Sequence, residues 1–152
     1  MSRTENCAGL DTSFMVALLC DWHEYHNPAL AAWQDLRGRR VRVIVPVHSL
    51  LETYSVLTRL PAQFRLSPKD ARHLLEANFS EGSEVSGLTP KAAWSSIRRL
   101  ADRDLGGGRI YDAVIAAAAF QAGAQVMLTW NSGDFFAVAP PGIAVREPGP
   151  VQ

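Results

Sequence analysis

The stretch CAGLDTSFMVALL, residues 7–19, decides the fold. Its first four residues, Cys7 to Leu10, are small or apolar and run straight into a carboxylate, Asp11. Such a run reads as a short strand that ends on an acid. From Ser13 to Leu19 the period changes. Phe14 with Leu18, and Met15 with Leu19, repeat at four-residue spacing, which is the spacing of one helix face.

The same alternation continues outward. Asn27-Pro28 suits a helix start, predicting helix from Pro28 to Leu36 closed by Gly38. Val41 to Val45 is β-branched and short, a strand with Pro46 at its end. Val47 to Leu60 reads as helix, with Val47, Leu50, Leu51, Tyr54 and Leu57 forming the expected buried stripe, and Pro61 stops it. Ser67-Pro68 and Thr89-Pro90 each pair a capping hydroxyl with proline at the first helical position. They open helices to about Phe79 and about Arg103, with a short strand expected at Glu84 to Leu88 between them. The glycine triplet 106–108 is a loop before an alanine-rich helix, Ile110 to Gln121, with Gly123 beyond its end. Val126 to Thr129 reads as a strand, Asn131-Ser132-Gly133 as a turn, and Ile143 to Val145 as a last strand. Short apolar strands separated by helices predict an α/β fold with a mostly parallel sheet flanked by helices. The domain is expected over residues 1–146, with a loose Pro/Gly-rich tail at 147–152.

Bulk properties narrow the partners. At 152 residues the chain is the size of one domain. No apolar run reaches the roughly 18–20 residues that a membrane helix needs, and the first residues lack the pattern of a secretory signal. The two cysteines, Cys7 and Cys20, are not a CxxC pair and are read as small core residues, so a reducing cytoplasm is the expected location. Lys plus Arg and Asp plus Glu each total 15, giving zero net charge. A protein that grips nucleic acid by bulk charge is usually basic. Any polyanion must therefore be held locally, or through metal.

Four acids stand in core-like company: Asp11 after an apolar strand, Glu52 in Leu50-Leu51-Glu52-Thr53-Tyr54, Asp112 opening the most apolar helix, and Asp134 before Phe135-Phe136. Singly, each has a plain structural reading. Asp11 can cap the next helix, Glu52 can be solvated, Asp112 can complement a helix dipole, and Asp134 can close an Asx turn. Jointly they suggest more. In an open α/β sheet, chemistry lies beyond the carboxyl ends of the strands, where Asp11 and Asp134 fall. Clustered carboxylates repel and call for a cation. Oxygen ligands without a His or Cys set suit Mg²⁺ or Mn²⁺. Such ions activate water and stabilise the leaving oxygen in phosphodiester cleavage.

In order and context these residues resemble the motifs of PIN-domain nucleases: Leu10-Asp11-Thr12-Ser13, Glu52 in a helix, Tyr111-Asp112-Ala113-x-Ile115-Ala116, and Thr129-x-Asn131-x-x-Asp134-Phe135. The chain looks most like the small VapC-type toxins of toxin–antitoxin pairs, from about Leu10 to Val145. The resemblance implies a PIN fold, Mg²⁺- or Mn²⁺-dependent endoribonuclease activity, a homodimer and a cognate antitoxin. It also implies that Asp11, Glu52, Asp112 and Asp134 are the catalytic, metal-holding acids, Asp134 acting partly through water, and that Thr12 or Ser13 and Asn131 orient a ligand, water or acid.

Other features carry less. The arginine runs 37–42 and 98–103 read as solvated faces. Of His23, His26, His48 and His73, only His48, one turn before Glu52, is expected to approach the acids. The four tryptophans are read as packing residues, with Trp130 the one placed to stack a base. No GK[ST] follows the glycines, which excludes a P-loop. An aspartyl-nucleophile phosphatase would need a second Asp at position 13, which is Ser, and a receiver-type phosphoacceptor lacks its late-strand lysine. The competing function is a catalytically silent module that binds a protein partner through the same acidic pocket.

Overall fold

A computed structural model describes residues 5–149. Its elements run β1 (Cys7–Leu10), α1 (Thr12–Leu19), α2 (His26–Gly38), β2 (Arg42–Pro46), α3 (Val47–Thr58), α4 (Pro68–Phe79), β3 (Glu84–Ser86), α5 (Pro90–Asp102), α6 (Arg109–Gln121), β4 (Val126–Leu128), α7 (Ser132–Val138) and β5 (Ala144–Arg146). The five strands form one parallel sheet in the order β3-β2-β1-β4-β5. The chain builds outward from β1 to β3 and then returns to β1's other side with β4. That reversal puts the topological switch point between β1 and β4, where the ends of both strands open a crevice.

Alternation along the strands makes two cores. Ala8, Leu10, Val43, Val45, Val126 and Leu128 face α1, α2 and α4, with Phe14, Trp33 and Phe79 among the buried residues there. Cys7, Ile44 and Met127 face the other way, onto Ile115, Ala116 and Ala119 of α6 and Phe135 of α7. The alanines let α6 lie close to the sheet. At Gly9 the approach is so near that a Cβ would stand 2.7 Å from the Ala119 Cβ and 2.6 Å from Met127 Sδ. Neither the helix nor the buried thioether yields cheaply, so glycine is required there.

Caps set several boundaries as expected. The side chains of Ser67 and Thr89 accept hydrogen bonds from Asp70 N–H and Ala92 N–H. Three helices end in the paired 6→1 and 5→2 bonds of a Schellman motif, with Arg40, Asp104 and Gly123 in the left-handed region. Thus α2 starts two residues before Pro28, contains Gly38, and closes at Arg40 (φ 55°) rather than at the glycine.

Two expectations fail. The stripe assigned to α3 is largely solvent-facing: Leu51 is 63% exposed, and Val47 and Tyr54 are exposed as well. The buried face is Ser49, Thr53 and Leu57. Burying Thr53 costs little because its hydroxyl donates to the Ser49 carbonyl at 2.7 Å. Residues 131–133 are also not a simple turn. Ser132 opens the seven-residue helix α7, with Asn131 at its N-cap position but making no side-chain cap bond. Beyond β5, Glu147 accepts from the Ser132 hydroxyl at 2.8 Å and Pro148 is buried, while residues 150–152 of the expected tail lie outside the described residues. No helix among the described residues is long and apolar enough to cross a membrane.

Candidate active site

Asp11 leaves β1 at the switch point and caps α1. Its backbone N–H donates to the Leu128 carbonyl at 3.1 Å, which fastens it to the end of β4. Its side chain is almost fully buried. Three donors converge on Oδ2: the Ser13 hydroxyl at 2.7 Å, the Thr129 hydroxyl at 2.8 Å and the Ser13 N–H at 3.3 Å. Both hydroxyls spend their only proton on Asp11, so each acts as an acceptor elsewhere. Ser13 Oγ accepts from Trp130 N–H at 2.9 Å, and Thr129 Oγ1 accepts from Asn131 N–H at 2.9 Å. Burial raises the Asp11 pKa, and these hydrogen bonds oppose that rise without cancelling it.

Asp11, Glu52 and Asp112 line one cavity of about 310 Å³ together with Thr12, Ser13 and Asn131. Glu52 comes from α3 and is paired with His48, whose Nε2 lies 3.4 Å from Oε2. The His48 ring lies flat on Tyr111 of α6, centroids 5.1 Å apart and 6° from parallel, joining the helices that carry Glu52 and Asp112. Asp112 stands in the first turn of α6. Its carboxyl is pushed up to about 6, first by burial and then by the charges of Asp11, Asp134 and Glu52. No lysine or arginine lines the cavity to offset them.

Asp134 differs from the other three. It sits in the first turn of α7, is exposed and does not line the cavity, although its charge reaches Asp112. Among the described residues, no three His, Cys, Asp or Glu side chains are gathered into a ready-made metal cage. The donor chemistry nonetheless fits a hard cation: the acids offer oxygen only, and their mutual repulsion is what a divalent ion relieves. Thr12 Oγ1, buried beside Asp11, has no hydrogen-bond partner.

Sequence patterns miss one wall of the cavity. His48 meets Glu52 as expected without lining the cavity, but it is not the one histidine near the acids: His23, with Glu24 and Tyr25 of the α1–α2 loop, lines the cavity, as do Val16 and Val56. Nothing local marks the loop. At the site Tyr25 stacks on Trp130, centroids 4.4 Å apart and 13° from parallel.

Comparison with known proteins follows the same outline. The family described as the PIN domain matches residues 9–139. Ribonuclease VapC27 of Mycobacterium tuberculosis is 38% identical over 117 residues, covering 77% of this chain and 80% of that protein. Ribonuclease VapC40 of the same species is 37% identical over 117 residues, covering 77% and 81%. Among solved structures, M. tuberculosis VapC20, a sarcin–ricin loop cleaving toxin, superposes with a TM-score of 0.65 at 24% identity, covering 86% of this chain and 93% of that one. VapBC2 from Rickettsia felis, bound to a promoter DNA fragment, gives 0.67 at 15% identity, covering 93% and 98%.

Proposed function

Because this chain belongs to the PIN-domain family, we propose that it is a metal-dependent endoribonuclease that hydrolyses RNA phosphodiester bonds as the toxin of a type II toxin–antitoxin pair. The observation that carries the chemistry is the convergence of Asp11, Glu52 and Asp112, from three different elements, on one cavity that no lysine or arginine lines. A pocket of this kind attracts a cation first and a phosphate second. That order reconciles polyanion binding with zero net charge.

Asp11, Glu52 and Asp112 are the residues assigned to hold Mg²⁺ or Mn²⁺. When bound, the ion supplies a polarised phosphate oxygen and a water made nucleophilic at neutral pH. Three donors already hold Oδ2 of Asp11. Ser13 and Thr129 keep that carboxylate from turning, and Asn131 extends their network. Asp134, on the rim, acts through water. Magnesium ordinarily keeps several waters, so a pocket without a closed cage suits it.

The test is direct. Purified chain incubated with end-labelled single-stranded RNA should produce internal fragments with added Mg²⁺ or Mn²⁺ and none in EDTA. Identical fragments in EDTA would overturn the metal-dependent mechanism. Intact RNA under every divalent ion would favour the silent binding module instead.

A cytoplasmic homodimer held in check by a protein antitoxin completes the reading. The dimer draws support from apolar side chains left in solvent on neighbouring helices: Val47 and Leu51 of α3, Trp94 and Ile97 of α5, and Tyr111 of α6. Placing Leu51, 63% exposed, at the centre of that contact predicts that Leu51→Glu weakens self-association by about tenfold or more. Sedimentation equilibrium should find twice 16.6 kDa for the unaltered chain and mostly monomer for the variant. A monomeric parent would remove the dimer from the proposal.

A further inference from the structure

The wall missed by sequence patterns is made of rings. Phe64 stacks on Trp22 (4.3 Å between centroids, 23°). Trp22 meets His23 at 5.9 Å, His23 meets Tyr25 at 5.8 Å, and Tyr25 stacks on Trp130 at 4.4 Å. The arc therefore begins outside the cavity and ends inside it, where His23, Tyr25 and Trp130 stand with Asp11, Glu52 and Asp112. Hydrophobic burial does not account for it, since Trp22 is 43% and Tyr25 40% exposed.

Its inner end is held rigidly. Trp130 N–H is fixed by the same Ser13 hydroxyl that donates to Asp11. Tyr25 N–H donates to His23 Nδ1 at 3.1 Å, which leaves the neutral His23 proton on Nε2. The Trp130 Nε1–H is buried without a partner, an orphan donor of the sort that asks for explanation. At about 310 Å³ the cavity is at the small end of ligand sites, room for one nucleotide and not for a duplex.

From this juxtaposition we infer that Tyr25, backed by Trp130, seats one unpaired base of the RNA beside the acids whose cation would take its phosphate, and that the ring arc towards Trp22 carries the adjoining single strand. This deepens the ribonuclease reading and rests on it for the identity of the ligand. A nucleotide presents a flat apolar face at one end and an anion at the other, and the cavity offers rings for the first and acids that would hold a cation for the second. Every base has such a face, so the platform selects unpaired strand over duplex more than one base over another. Tyr25 and Trp130 are thus positioning residues for the substrate.

The experiment measures binding of a short single-stranded RNA, phosphorothioate-linked to resist cleavage, to the full chain with Mn²⁺ present, and separately the steady-state kinetics on unmodified RNA with Mn²⁺. Losing one stacked base predicts that Tyr25→Ala weakens RNA binding about 5- to 150-fold, while Tyr25→Phe stays within about twofold of the parent because it keeps the ring. With Mn²⁺, Tyr25→Ala should raise KM with little change in kcat. An RNA carrying one abasic site, moved along the strand, should lose the same factor on the parent chain at a single position and lose nothing further on Tyr25→Ala. Equal affinity of the parent for intact and abasic strands at every position overturns the platform, whether or not any variant folds. Parent that cleaves RNA while Tyr25→Ala binds and cleaves as well also overturns it and leaves the nuclease standing. Tyr25-dependent binding by a parent that never cleaves keeps the platform and removes the nuclease.

Discussion

Asp11→Asn should leave a folded chain whose metal-dependent RNA cleavage is lower by about a thousandfold or more. The estimate follows from the several kcal/mol of charge stabilisation that a bound divalent ion supplies, at about 1.36 kcal/mol per decade of rate. The fold should persist because asparagine keeps an acceptor for Ser13 and Thr129 and still caps α1. It also removes a carboxylate whose pKa burial already raises. Cleavage rate and circular dichroism measured on one sample check both halves. Full activity in a folded Asp11→Asn variant would sink the site assignment. Asp11→Ala is the contrasting case: it strips the cap and strands two buried hydroxyls, so it should lose activity and stability together.

Asp112→Asn should likewise abolish cleavage, yet the metal-free variant should melt at a higher temperature than the parent. The Asp112 carboxyl titrates near 6 in the fold, against 3.8 for an unperturbed aspartate. The folded chain therefore binds this proton more tightly than the unfolded chain does. Metal-free stability must then fall as pH rises from about 4 to 6, and the full penalty is present above 6. With solvent screening of a partly buried group, that penalty is on the order of 1–2 kcal/mol, or a gain of about 3–6 °C for the variant at pH 7.5. The gain should shrink below pH 6 and vanish below about 4. Adding Mn²⁺ should reverse the ranking, because only the parent gains stability by binding it. Melting curves at three pH values, with and without Mn²⁺, decide it. A variant that melts lower than the parent in EDTA at pH 7.5 would refute the account of charge crowding.

How far the sequence speaks depends on which forces are local. Strand-end Asp11 and the Ser67-Pro68 and Thr89-Pro90 caps are set by neighbouring residues, and the structure has each where its neighbours imply. The buried face of α3 is a tertiary choice. Leu51 and Thr53 both lie on plausible stripes, and a threonine that bonds its own helix can be buried while a leucine stays in solvent. The helix α7 is seven residues long, too short for periodicity to outweigh the turn-forming Asn-Ser-Gly that opens it. It also swings Asp134 to the rim, a position no linear motif encodes. Least legible is the aromatic wall, because the Tyr25–Trp130 contact spans most of the chain and leaves no spacing to read.

The bond between Thr129 and Asp11 joins residues 118 positions apart. During synthesis at about 5–20 residues per second, Asp11 is made roughly 6–24 s before the hydroxyl that fixes it. Strand β4, which must slot in beside β1 to bring that hydroxyl, is equally late. The network that holds Asp11 is thus incomplete until β4 and Thr129 have been made. With β4 fourth in the chain but beside β1 in the sheet, the order of the strands places completion of the site after most of the chain has been made.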